Sequence, residues 1–300
     1  MTTQATCDFD VIVIGGSYAG LSAALQLART RRRILMIDGG VRRNRFAATS
    51  HGFLGQDGRA PDAIAADGRR QLQAYPNVQW LDDTAANAVK SDTAFAVSTA
   101  GGHTVHGARL VLATGVVDEL PAIDGLAERW GQSVFHCPYC HGYELNAGQI
   151  GVLATGPMSL HHATLLPDWG QVTLFTNGAL VLDETQHADL RKRGVHIEIT
   201  PVARISNTAT VELQDGRRLT MAGLFTLSRT HMASPLAQQL GCDFEEGPLG
   251  AFIKTEMTKE TSVSGVFACG DAARMAGSVA LAVGDGAMAG VGAHQSLLFR

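Results

Sequence analysis

Long apolar runs are missing from this chain of 300 residues. None approaches the ~20 residues that a membrane helix needs, so no span is expected. The first eight residues have no basic region followed by an apolar stretch, and they do not read as a signal peptide. Cysteine is scarce and odd in number, at five, which does not build a secreted disulfide framework. A cytoplasmic location follows, and there a C-x-x-C is more often catalytic or metal-binding than structural. Neither sign of charge dominates: 24 Lys and Arg oppose 28 Asp and Glu, for a net −4, so no nucleic-acid partner is expected. The one dense basic stretch, Arg29, Arg31, Arg32 and Arg33, sits where a helix should end and complements its dipole. Proline is rare, 9 residues against 34 glycines, and the glycines fall in short clusters between apolar runs. That pattern favours tight turns over disorder. With 45% hydrophobic and 17% charged residues, a folded chain with a sizeable core is expected, long enough for two modest domains.

The first apolar run is Phe9–Ile14, of strand length, and Gly15-Gly16-Ser17-Tyr18-Ala19-Gly20 follows at once. The stretch Leu21–Arg29, rich in Ala and Leu, reads as a helix. A second strand, Ile34–Ile37, ends in Asp38. This is a βαβ unit with a dinucleotide fingerprint at its first turn. Gly15 allows the tight turn, Gly20 allows close helix–strand packing, and the helix N-terminus faces a pyrophosphate. Asp38 stands where an acid meets a ribose hydroxyl. Ser17 departs from the pattern, since it occupies the middle glycine position. Two later elements join this unit. One is a strand that ends in Ala113-Thr114-Gly115. The other is a short strand that delivers Gly270-Asp271, followed by a helix of small residues from about Ser278. The three elements together resemble the FAD domain of flavoproteins with two dinucleotide domains, where Asp271 would accept from a ribityl hydroxyl. They bracket the chain, so that domain is discontinuous.

Between them the pattern repeats. Gln149–Leu153 is a strand, Ser159–Leu166 a helix, Gln171–Phe175 a strand, Glu184–Gly194 a helix and Val195–Ile199 a strand. The expected class is α/β, with two Rossmann-like domains of the three-layer ββα type, the second inserted into the first. Residues 1–117 and 245–300 form the first and 118–244 the second.

The second domain opens with His136-Cys137-Pro138-Tyr139-Cys140-His141. This spacing suits a small disulfide ring at a helix start, with Pro138 at the first helical position. The helix N-terminus lowers the pKa of Cys137 and favours the thiolate that attacks a disulfide. His136 and His141, with ordinary pKa values of ~6.5, exchange protons near neutrality. A zinc site competes, but it needs two further ligands and no second C-x-x-C exists. Cys7, Cys242 and Cys269 are isolated and read as buried small apolar side chains.

The whole chain resembles the low-molecular-weight thioredoxin reductases, which place a C-x-x-C at the start of their second domain. The string Cys137-Pro138-Tyr139-Cys140-His141-Gly142-Tyr143-Glu144 resembles the branch of dithiol oxidases of gliotoxin, holomycin and romidepsin biosynthesis. So do Arg43–Phe46 and His51–Gly55. The group usually has Asp where this chain has His141. The resemblance implies that Cys140 is the sulfur nearer the flavin and Cys137 the one that meets substrate. It implies FAD contacts at Gly15, Gly16, Ser17, Ala19, Gly20, Asp38, Gly39, Arg45, His51, Thr114, Gly115, Gly270, Asp271 and Ala280. It also implies a homodimer.

A working NADPH domain needs a glycine-rich turn after its first strand. Here the stretch is Ala154-Thr155-Gly156-Pro157-Met158-Ser159, and Pro157 has no N–H to offer a phosphate. The adenosine 2′-phosphate calls for Arg after the second strand, yet Thr176–Leu180 contains no basic residue. His161 and His162, on the following helix, read as a surface pair. The expected reaction therefore runs from thiol to flavin, and the branch resemblance implies a small-molecule (natural-product) dithiol as substrate and O2 as acceptor, giving hydrogen peroxide, with His141 and His136 as candidate bases. The alternative is a disulfide reductase driven by NAD(P)H or another donor, with a thioredoxin-like partner. A flavin-binding sensor without turnover is a third reading, against which the intact cysteine pair argues.

Overall fold

A computed structural model describes residues 8–92 and 94–299. Cys7 and the stretch before it lie outside the described residues. The chain forms two compact units. The first runs up to Arg43, resumes at Phe53–Val117 and returns from Thr230, while the second comprises Asn44–Gly52 and Asp118–Arg229.

The first unit begins with β1 (Phe9–Ile14), α1 (Tyr18–Arg29), β2 (Ile34–Asp38), α2 (Pro61–Gln73) and β3 (Val78–Asp82). A meander follows: β4 (Ala85–Lys90), β5 (Phe95–Thr99) and β6 (Thr104–Leu112). Strands β3, β2, β1 and β6 are parallel neighbours, and β5 and β4 continue antiparallel from β6. The sequence of β1 explains why both faces of this sheet are covered. Val11 and Val13 point into a cluster with Ala23, Ala24 and Leu27 of α1. Ile12 and Ile14 point the other way, into a cluster with Ala88, Phe95 and Val97 of the meander. Side chains alternate along a strand, so a run apolar at every position implies burial on both sides. Helix, parallel sheet and meander are the three expected layers.

After β7 (Val116–Glu119) come β8 (Val134–Phe135), α3 (Pro138–His141), β9 (Gln149–Leu153), α4 (Ser159–Leu165), β10 (Gln171–Phe175), α5 (Glu184–Lys192) and β11 (His196–Glu198). A second meander comprises β12 (Val202–Ser206), β13 (Thr210–Leu213) and β14 (Arg218–Thr220), and β15 (Gly223–Thr226) follows. The sheet order is β11-β10-β9-β15-β8, all parallel. One face packs on the meander through Leu153, Phe175, Val211 and Leu224. The other packs on the helices through Val152, Ala163, Leu174 and Phe225. Helix α5 starts on a reciprocal cap between Asp183 and Gln186, which satisfies two otherwise unpaired donors.

The chain re-enters the first unit through β16 (Arg229–Met232), α6 (Leu236–Gln239), β17 (Phe244–Glu246) and β18 (Ala251–Ile253). Then come β19 (Val266–Ala268), which pairs with the end of β6, and α7 (Val279–Phe299). The expected return at residue 245 is therefore too late. Leu236, Ala237 and Cys242 are buried in the first unit's core beside Ile12 and Leu35, and apolar burial decides membership where no linker composition marks it. The segment Asn44–Gly52 was expected in the first domain and groups with the second. There Phe46 fills the space that a Cβ on Gly131 would need.

Helix α7 explains its own small residues. A Cβ on Gly286 or Gly290 would lie 2.0 or 2.4 Å from the carbonyl oxygens of Ala19 and Ala23. The backbones of α1 and α7 touch, and the Ser22 hydroxyl donates to the Val283 carbonyl at 2.7 Å. Among the described residues, no helix is long and apolar enough to cross a membrane.

Candidate active site

The turn after β1 has the geometry its glycines require. Gly15 sits at φ +103°, and a Cβ there would meet the Ala113 carbonyl oxygen at 2.3 Å. A Cβ on Gly20 would lie 1.8 Å from the Gly15 oxygen. Ser17 precedes α1 in extended conformation and makes no side-chain cap, and α1 opens with a regular bond from Leu21 N–H to the Ser17 carbonyl. A helix start of this kind, uncapped by its own side chain and crowded by glycines, fits an anionic pyrophosphate. Asp38, at the end of β2, accepts from the Gly16 N–H at 3.0 Å, so it also ties the turn down. Gly39 follows it, close against Thr84. Thr114 and Gly115, the latter at φ +66°, leave the end of β6. Ala19 is buried, its carbonyl against Gly286 and its methyl against Gly270.

The other expected loop of this unit, Gly270-Asp271, brings in residues that the sequence did not single out. Gly270 is left-handed at φ +70°, and its N–H donates to Asp285 Oδ2 at 3.0 Å. Asp285, on α7, is buried, and its other oxygen is 2.5 Å from Lys259 Nζ and 3.5 Å from Arg274 Nη1. A buried carboxylate needs such partners. The Asp271 carboxylate pairs with Arg43 at 2.8 Å. Ala280 lies in the first turn of α7, which begins on a bond from Leu281 N–H to the Ser278 hydroxyl. Nothing local marked Asp285, since its neighbours are Gly and Ala. An acid inside an otherwise uncharged helix was the available signal.

In the second unit, Cys137 and Cys140 form a disulfide with Cα atoms 5.3 Å apart. Cys137 is the extended residue before α3, and Pro138 takes the first helical position, as expected. Tyr139, between the cysteines, is 72% exposed and meets Trp169 edge-on. The His141 ring stacks on Phe135 with centroids 4.3 Å apart. Burial, helped by the nearby His51, lowers its pKa to about 4. His136 stacks on Trp130. Arg45 and His51 lie in Asn44–Gly52, which groups with this unit. The guanidinium of Arg45 covers the Phe46 ring. His51 Nδ1 lies 3.4 Å from Glu144 Oε1, just after the cysteine helix. The other described cysteines are buried, and burial pushes the thiols of Cys242 and Cys269 up, away from nucleophilic use. No group of three or more His, Cys, Asp or Glu placed to hold a metal occurs among the described residues.

The turn after β9 uses several of its donors internally. The Thr155 N–H goes to Ser159 Oγ at 2.9 Å. Ser159, Leu160 and His161 donate to Gly156, Pro157 and Met158, a tightened first turn for α4. Ala154 is buried. At the end of β10, Asn177 Oδ1 accepts from Val202 N–H, and no cation stands in Thr176–Leu180. His162 is a correction: it is no surface residue but 4% exposed. It lies on the inner side of α4, where the Phe225 ring meets it edge-on.

Residues 9–286 match the family described as pyridine nucleotide-disulphide oxidoreductase. A relative named thioredoxin reductase sirT, from Leptosphaeria maculans, is 34% identical over 97% of this chain and 95% of its own. A solved oxidoreductase from Agrobacterium tumefaciens is 57% identical, covers 97% of this chain and 99% of its own, and has a TM-score of 0.95. The crystal structure of HlmI is 36% identical over 99% of this chain and 94% of its own, with a TM-score of 0.89.

Proposed function

This chain belongs to the pyridine nucleotide-disulphide oxidoreductase family, as a thioredoxin reductase-like disulfide oxidoreductase, and from that premise we propose that it is an FAD-dependent dithiol oxidase. Its substrate is a small-molecule dithiol and its final acceptor is O2. Members of the family are flavoproteins. The residues that would hold FAD here are the Gly15–Gly20 turn, Asp38, Thr114, Gly115, Gly270, Asp271 and Ala280. The observation that supports the reading is the contrast between an intact cysteine pair and a second turn in which Pro157 has no N–H to give and no cation follows at Thr176–Leu180. Electrons that do not arrive from a pyridine nucleotide must arrive as thiols.

The residues act as follows. Neutral His141 takes the proton of one substrate thiol. The resulting thiolate attacks Cys137 Sγ, the Cys137–Cys140 bond breaks, and Cys140 leaves as thiolate. Because burial makes the imidazolium of His141 a stronger acid, it returns the proton to Cys140. The second substrate thiol attacks the sulfur bound to Cys137 and expels the Cys137 thiolate, which takes up that thiol's proton. The substrate disulfide departs, oxidised by two electrons, and the pair is left as two thiols. Bound FAD supplies the route by which those two electrons and two protons reach O2 as hydrogen peroxide.

The test is visible absorbance of the purified protein without oxygen. Bleaching by a small dithiol, then recovery of colour with peroxide when air is admitted, is expected. Rapid bleaching by NADPH and none by dithiols overturns the reading in favour of a reductase.

A further inference from the structure

The solvent side of the cysteine segment carries rings that the scheme above leaves unused. Tyr139 stands between the two cysteines and is 72% exposed, and Tyr143 is 85% exposed. Gly142 links α3 to the 3-10 turn Tyr143–Leu145 with helical backbone, φ −67° and ψ −38°. Helical backbone thus continues past the pair, and Tyr139 and Tyr143, four residues apart, share one face. The cysteines themselves are only half-buried, so a sulfur of another molecule can reach them.

Trp169 closes one side of this face. Its ring and that of Tyr139 meet at 89°, with centroids 5.3 Å apart. Trp169 is packed against the second unit's core, so the Tyr139 ring rests on a fixed neighbour. Gly142 makes room for that neighbour. Any residue can adopt the Gly142 conformation, but a Cβ there would stand 2.8 Å from Trp169 Cδ1 and 2.7 Å from the Pro138 carbonyl oxygen. Close packing, not backbone freedom, accounts for this glycine.

Single apolar side chains on a surface are ordinary. These rings share one face of the short segment that holds the disulfide. In the mixed disulfide of the scheme above, the substrate is tied to Cys137 Sγ by a bond of about 2 Å. Its body then lies beside Tyr139, two residues further on. Residues 137–145 contain no Lys or Arg, and their one acid, Glu144, lies 3.4 Å from His51 Nδ1. The segment therefore offers that body rings rather than charge. We propose that Tyr139 and Tyr143, with Trp169 beside them, form a ledge that selects dithiols carried on a flat, ring-bearing apolar body over dithiols on a short polar chain. Stacked and edge-to-face contacts supply the selection.

This inference rests on the cysteine chemistry proposed above, and its test reads the disulfide alone, without oxygen. Flavin-bound protein is mixed anaerobically with benzene-1,2-dimethanethiol or with dithiothreitol and quenched by alkylation at set times. Reduced cysteines are counted by mass. Each dithiol gives a second-order rate constant, and the quantity compared is the ratio of the two. The reagents differ in thiol acidity, but that difference cancels when a variant's ratio is divided by the parent's. On the scale of aromatic contacts, Tyr139→Ala is expected to lower the ratio about tenfold and Tyr143→Ala about threefold. Tyr139→Phe keeps the ring and is expected to stay within about twofold of the parent. If Tyr139→Ala does not fold, Tyr143→Ala, at a position exposed enough to spare the fold, carries the test. A parent-like ratio in either alanine variant, or a fall in Tyr139→Phe as large as in Tyr139→Ala, overturns the proposal. A ratio that falls as expected, in a protein whose flavin no dithiol bleaches, sinks the oxidase reading alone.

Discussion

Two turns in this molecule occupy the same topological place and differ in what they do with their backbone. Gly15–Gly20 and Ala154–Ser159 each follow a central parallel strand and open a helix. In the first, glycines allow contacts of backbone on backbone that a single Cβ would prevent. The helix behind it runs 12 residues. In the second, Pro157 has no N–H to give, the Thr155 N–H goes to Ser159, and the helix is 7 residues long. A phosphate site is a set of N–H groups with nothing better to bond. A fold can keep its shape while such a site changes, because its strands and helices do not depend on which residue stands at each position of the turn.

The sharpest break of this comparison is at the cysteines. If electrons enter at the redox pair, Cys137→Ser or Cys140→Ser lowers dithiol-driven flavin reduction on the order of a thousandfold, followed by stopped-flow absorbance. Undiminished reduction in either variant removes the pair from the reaction. Next come the turns themselves. Gly20→Ala is expected to cost the protein its flavin, at least about tenfold by the colour retained after gel filtration, since the new Cβ meets the Gly15 oxygen. Pro157→Ala, at the matching place in the second turn, is expected to retain the flavin in full and to gain no rapid bleaching by NADPH. A Pro157→Ala protein that NADPH reduces as fast as a dithiol does would erase the distinction between the turns.

Asp285→Asn leaves Lys259 and Arg274 without their buried partner. It should destabilise the protein by about 3 kcal/mol in urea unfolding and loosen the flavin. An unchanged midpoint would mean that the Gly270 loop is held by other means.

The smallest effect is set by pH. Burial lowers the pKa of both His141 and His162 to about 4, below the 6.5 of an unfolded histidine. Between those values the unfolded chain binds more protons than the folded one, so stability falls as pH drops from 6.5 toward 4. Each histidine contributes roughly 1–3 kcal/mol to that fall, and above 6.5 neither does. Because both lie in the second unit, hydrogen exchange there should quicken on acidification before exchange in the first unit does. His162→Phe should make the decline shallower, and a decline of undiminished slope would place the proton uptake elsewhere.

Much of this was legible before any coordinates. The Gly15–Gly20 turn depends on contacts among near neighbours and on the strand that ends at Ala113, and each has a local signature. The Cys137–Cys140 pair is a matter of spacing, and Pro157 announces its missing donor by identity alone. The return of the chain at Thr230 was not legible, because Leu236, Ala237 and Cys242 carry no mark of which core they join. Nor was the placement of Asn44–Gly52, where Phe46 comes close against Gly131. His162 read as surface because its helix is short and its period weak, and the Phe225 that covers it comes from a strand far along the chain.

The sequence by itself determined the α/β class, the two βαβ units, the glycine turn after the first strand and the cysteine pair, because each is written in residues within a few turns of one another. Only the tertiary structure decided which carboxylate braces the Gly270 loop, which histidine is buried against Phe225 and where one unit yields to the other. Those depend on burial, and burial is a property of distant segments packed together, not of any one of them.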